Sequence, residues 1–94
     1  MHEYHIVEGI VKKITKVAKE NGASKITSVS LALGKVSGLE ESSVRLYFET
    51  ISEGTSACGA ELAVKTVPGK ELYIENIEIE GGNDVGKQKE SKSF

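Results

Sequence analysis

Apolar residues recur along this chain with two different periods. Between Tyr4 and Glu20, Ile6, Val7, Ile10, Val11, Ile14, Val17 and Ala18 return every three or four positions, while Glu8, Lys12, Lys13, Lys16 and Lys19 fill the rest. That spacing predicts an amphipathic helix with one buried stripe. Asn21-Gly22 follows, and both residues tolerate the left-handed backbone that stops a helix. From Lys25 to Leu33 the period drops to two, with Val29, Leu31 and Leu33 alternating with Ser28, Ser30 and Ala32, as in a strand with one buried face. Ser37-Gly38-Leu39-Glu40 has the spacing of a capping box, which predicts a second helix beginning near residue 40. Val44, Tyr47, Phe48 and Ile51 form its stripe and Gly54 its stop.

Two more strands are expected after that helix. Ala60 to Val67 alternates Leu62 and Val64 with Glu61 and Lys65. Pro68-Gly69 carries the chemistry of a type II turn, which would make the second and third strands antiparallel neighbours. In the third, Glu71 to Glu80, Leu72 and Ile74 keep one phase and Ile77 and Ile79 the other, so an extra residue near Glu75-Asn76 should form a bulge. Beyond Gly81 the Gly, Asn, Lys, Gln, Glu and Ser residues offer too little apolar surface to repay ordering. The expected fold is α+β: two helices on one face of a small three-stranded mixed sheet, order αβαββ, with a disordered C-terminal tail. Residues 1–80 form one domain and 81–94 a flexible tail.

Composition narrows the function classes. Ninety-four residues suffice for one domain. Twelve Lys and Arg against fourteen Asp and Glu leave a net charge of -2, without the basic excess that neutralising phosphates demands, so nucleic acid is not an expected partner. No apolar run approaches the roughly 20 residues of a membrane span, and the N-terminus has no signal-peptide pattern. No membrane association and a cytoplasmic location are expected. The single cysteine, Cys58, can close no internal disulfide. In a chain this small, homodimerisation is a further expectation.

The N-terminal triplet Met1-His2-Glu3 carries the most chemistry. A free α-amine, the amide nitrogen of His2 and its nearer imidazole nitrogen can close two fused chelate rings around one metal, with Glu3 supplying a fourth donor. Such a nitrogen-rich, nearly planar set suits Ni(II) or Cu(II) better than zinc, which prefers a tetrahedron of His and Cys. The bulky second residue should preserve Met1 and its amine. His5, one turn along, could add an imidazole or simply stand solvated.

Met1-His2-Glu3-Tyr4, Asn21-Gly22-Ala23-Ser24-Lys25-Ile26, Leu33-Gly34-Lys35-Val36-Ser37-Gly38, Phe48-Glu49, Glu53-Gly54-Thr55, Gly59-Ala60-Glu61-Leu62, Glu71-Leu72 and Ile77-Glu78-Ile79-Glu80 follow one another in this order. Over residues 1 to about 80 the series resembles the nickel-insertion proteins of hydrogenase maturation, the HypA-type family. The resemblance implies a nickel metallochaperone that holds Ni(II) at Met1, His2 and Glu3, with Glu40 in the place of an acidic residue near the metal. It also implies a pathway GTPase and the hydrogenase large subunit as partners, with urease as a possible client. The family carries a zinc subdomain with two Cys-x-x-Cys pairs between its last two strands. Here Val67-Pro68-Gly69-Lys70 stands in that place, so no zinc is expected and a tight turn at 67–70 replaces the insert.

The remaining residues suggest no enzyme. Ser42, Ser43, Ser52 and Ser56 have no histidine base in a recognisable motif, and Gly34 and Gly38 lack the Gly-Lys-Ser/Thr ending of a phosphate loop. Cys58 reads as a small buried residue rather than a ligand. The alternative to metal transfer is an interaction or regulatory protein that keeps the fold and dimerises or pairs with a full-length relative.

Overall fold

Helix α1 runs from His2 to Glu20 in a computed structural model that describes residues 2–81 and 89–93. Its buried stripe follows the predicted spacing at five positions, with Val7 and Ile14 fully buried and Ile10, Val11 and Ala18 nearly so, whereas Val17 is partly buried and Ile6 is exposed. Asn21 and Gly22 close it through their amides, which donate to the carbonyls of Val17 and Lys19, and Gly22 takes a φ of 69°. Strand β1, Ala23–Gly34, follows, then α2, Glu41–Ser52, β2, Glu61–Val67, and β3, Leu72–Gly81. The two helices and the mixed three-stranded sheet are those expected. Helix α1 lies over β1 and β3 and packs against α2. Helix α2 buries Val44 and Phe48, and its Arg45 donates to the Leu62 carbonyl at 2.8 Å while holding Glu41 at 2.8 Å, tying α2 to β2.

The strand order is β2-β1-β3, which corrects the expectation that β2 and β3 are neighbours. Strand β1 pairs in parallel with β2 and antiparallel with β3, and α2 supplies the crossover that a parallel pair needs. Burial explains the arrangement. Ile26, Val29, Leu31, Ala32 and Leu33 are all buried, so β1 takes the centre, whereas β2 has no fully buried residue and suits an edge. The Pro68-Gly69 chemistry reverses the chain but does not fix how far sideways it travels. It must cross two strand spacings, about 10 Å. Residues 68–71 pass over the end of β1, where the Gly34 amide donates to the Glu71 carbonyl (2.9 Å), that of Lys35 to Val67 (2.8 Å) and that of Val36 to Gly69 (3.0 Å). On the outer face Lys65 and Glu75 reach each other at 3.0 Å from the strands on either side of β1.

The predicted bulge is present. Ser30 pairs with Asn76 and Leu31 with Ile74, leaving Glu75 as the extra residue, and Ile74, Ile77 and Ile79 all face the core. The sheet also gains a strand from the segment read as a tail. Strand β4, Lys89–Ser93, pairs antiparallel with the outer edge of β3, because backbone groups on an open edge accept a strand whatever its side chains. The flexible tail expected of residues 82–88 and 94 lies outside the described residues.

Candidate functional site at the helix starts

The starts of α1 and α2 meet. Glu3, in the first turn of α1, accepts a hydrogen bond at its Oε2 from the backbone N–H of Glu40 at 3.4 Å. Glu40 is the residue from which α2 begins; its extended backbone (φ -107°, ψ 137°) turns the chain into the helix, and its carbonyl accepts from the Val44 amide. A carboxylate placed there faces the positive end of the α2 dipole. Two of the residues singled out in the sequence, Glu3 and Glu40, are thus adjacent, and the contact uses the amide of Glu40. The capping box expected at Ser37-Glu40 does not form. The Ser37 hydroxyl instead accepts from the Leu39 amide at 3.2 Å, and Glu40 caps nothing with its side chain. The amide donor at the head of α2 is satisfied from a distant part of the chain, which local spacing cannot reveal.

Tyr4 anchors this junction. Its ring meets Tyr47 of α2 edge-to-face, with centroids 5.7 Å apart at 77°, and meets His5 at 6.0 Å and 87°. Such pairs contribute beyond their buried area because ring edges and faces carry opposite partial charge. The Tyr4→Ala substitution should therefore lower stability by about 1–2 kcal/mol, read as an earlier urea midpoint with an unchanged slope. Tyr4 and Tyr47 were not assigned a site role from the sequence. Tyr47 sat only in the apolar stripe of α2, and nothing local linked it to Tyr4.

His5 takes another direction. Its ring is largely exposed, and Nδ1 lies 3.6 Å from Glu8 Oε1, one turn along α1. Met1 lies outside the described residues, while His2 forms the first residue of α1. Among the described residues no three His, Cys, Asp or Glu side chains converge as a metal cluster. Cys58 is exposed, correcting its expected burial, because the preceding Ala57 takes the fully buried place in that loop. It lines a cleft of about 470 Å³ between α2 and the start of β2, which includes neither Glu3, His5 nor Glu40. No helix among the described residues is long and apolar enough to cross a membrane.

Residues 1–72 match the family model described as hydrogenase/urease nickel incorporation, metallochaperone, hypA. The chain is 30% identical to the hydrogenase maturation factor HypA of Caldanaerobacter subterraneus subsp. tengcongensis over 114 residues, covering 85% of this chain and all of the relative. That alignment runs over more positions than the present 94 residues, so the relative carries residues with no counterpart here. Similarity to the HypA of Rhodobacter capsulatus is 34% over 88 residues, covering 90% of this chain and 78% of that protein. The fold is similar to the solution structure of the Ni metallochaperone HypA from Helicobacter pylori, with a TM-score of 0.64, 21% identity, and coverage of 98% and 97%.

Proposed function

The chain belongs to the HypA family of hydrogenase/urease nickel-incorporation metallochaperones, and on that premise we propose that it carries Ni(II) as cargo at Met1, His2 and Glu3. The Met1 amine, the His2 amide and the His2 imidazole supply three nitrogens, and Glu3 completes the set. Glu40 stands beside it as a second acidic group, and His5 is a reserve imidazole one turn along. The ion is passed in the cytoplasm to the large subunit of a NiFe hydrogenase, or to urease, with the pathway's GTPase as partner. This is transfer between ligand sets and requires no catalytic acid, base or nucleophile.

The observation that carries this reading is the contact between Glu3 and the head of α2. It holds the third residue of the triplet beside Glu40 at an accessible junction of two helices, where a client's ligands can reach. No part of this mechanism draws on the Cys-x-x-Cys subdomain, so nickel capture is proposed to persist without zinc.

Calorimetric titration of the untagged chain with Ni(II) near pH 7.5, just below the ordinary α-amine pKa of about 7.7–8.0, tests the reading. One nickel per chain, lost in His2→Ala, is the expected result. Equal uptake by the parent and His2→Ala would give first place to the alternative, an interaction protein that keeps the fold without carrying the metal.

A further inference from the structure

The exposed side of α1 carries a second feature, remote from its N-terminus. Lys12, Lys16 and Lys19 stand at i, i+4 and i+7, so they project along one side of the helix. With Thr15 on α1 and Thr55 and Ser56 on the loop after α2, they line an open trough of about 720 Å³.

Among the described residues, no carboxylate pairs with the lysines of this trough. Glu8 and Glu20 each stand four residues from a lysine of the row, at the spacing where helical ion pairs form. Neither makes one: Glu8 turns to His5, and Lys12, Lys16 and Lys19 form no ion pair with any described residue. Two cations elsewhere are matched, Arg45 with Glu41 and Lys65 with Glu75; what distinguishes the row is that three lysines without a described ion pair line one trough. Like charges at i, i+4 weaken a helix, and only Lys19, in the last turn of α1, is repaid by the helix dipole. The polar side of an amphipathic helix needs solvated residues, but it does not need Lys12 and Lys16 to carry the same charge one turn apart.

The lining also indicates what would occupy the trough. It holds no aromatic ring on which a base could stack and no arginine to grip a phosphate in two-point fashion. The hydroxyls of Thr15 and Thr55 already donate to the carbonyls of Val11 and Ser52. What remains is a row of flexible point charges, separated by about 6 Å and 4.5 Å along the helix axis, on an open surface. We propose that this trough docks an acidic segment of a protein partner, whose carboxylates pair with Lys12, Lys16 and Lys19. The row begins about 14 Å and ends about 24 Å along α1 from Glu3, so a partner seated there leaves the helix starts accessible. The proposal is independent of nickel binding.

The test is an NMR titration of the nitrogen-15-labelled full chain with an alanine-based peptide bearing glutamates at i, i+4 and i+7. The expected result is amide shifts confined to residues 12–19, 22–23 and 55–56, screened away by added salt. Binding should weaken at least about fivefold in Lys12→Gln/Lys16→Gln and hold in Lys35→Gln/Lys70→Gln, both variants keeping the parent's spectrum away from the substitutions. Shifts spread over the surface, or equal binding by the two variants, would overturn the proposal. So would displacement of the peptide by inorganic phosphate at equal concentration, which would make the trough a phosphate site. Self-association of the parent, abolished in Lys12→Gln/Lys16→Gln without any peptide response, would assign the trough to a second copy of the chain instead.

Discussion

Acetylation of the Met1 amine alone should weaken Ni(II) binding by at least about 100-fold, since loss of outer-shell support by itself costs metal sites roughly 10–100-fold. An acetylated nitrogen has no basic lone pair, and the ring it closes with the His2 amide cannot form. An unchanged urea midpoint would separate lost chelation from lost structure. Acetylation is a cleaner test than adding one residue ahead of Met1. A single added residue would place the histidine third, where an amine, two amides and an imidazole make a planar four-nitrogen chelate of their own. Binding to the native N-terminus must displace a proton from the amine, whose ordinary pKa is about 7.7–8.0, and another from the His2 amide. Affinity should therefore climb as pH rises through neutrality, by up to about tenfold per unit for each proton released. A pH-independent affinity, or full binding by the acetylated chain, would remove the amine from the ligand set.

The second large effect is expected far from the helix starts. A methyl group at Gly34 would sit 2.5 Å from the carbonyl oxygen of Gly69, 2.7 Å from its carbon and 2.9 Å from the amide nitrogen of Glu71. All three are backbone atoms, so no side chain can rotate away. The chain crosses there from β2 to β3, over the end of β1, and is held by amides of residues 34, 35 and 36. Relief requires moving that crossing, including Gly69 at a φ of 131°, where another residue would be strained. The Gly34→Ala substitution should cost about 3 kcal/mol, the upper end for overpacking a close contact. In a domain of this size that is a fall in Tm on the order of 15 °C, measured by calorimetry. A loss below about 1 kcal/mol would mean that the crossing gives way freely.

Gly34 also shows where reading the sequence stops. Both helices, their glycine stops and the bulge at Glu75 were legible because each is written in local phase: Leu72 and Ile74 cannot share a face with Ile77 and Ile79 unless one residue is extra. Strand order was not legible, because Pro68-Gly69 fixes a reversal and leaves the lateral step open. The step is decided by competition for the centre, which β1 wins with five buried residues between Ile26 and Leu33. At the candidate site, the Met1-His2-Glu3 chemistry could be read from the triplet itself. The approach of Glu3 to Glu40, and the edge-to-face meeting of Tyr4 with Tyr47, depend on how α1 lies against α2 and leave no local trace. The capping box illustrates the same limit: Ser37 and Glu40 have the right spacing, yet Glu3 arrives from the other helix and takes the Glu40 amide.

The central place of β1 also sets the order in which this molecule can be made. Its partners, β2 and β3, both follow it in the chain, and its first residue, Ala23, aligns with Gly81. Every ladder bond of β1 must therefore wait for a loop to close over much of the sequence, a cost met before any pairing is rewarded. Topologies dominated by such pairings fold in milliseconds to seconds rather than microseconds. During that interval Ile26, Val29 and Leu31, rich in β propensity, are without partners, the condition in which unfinished strands meet those of other chains.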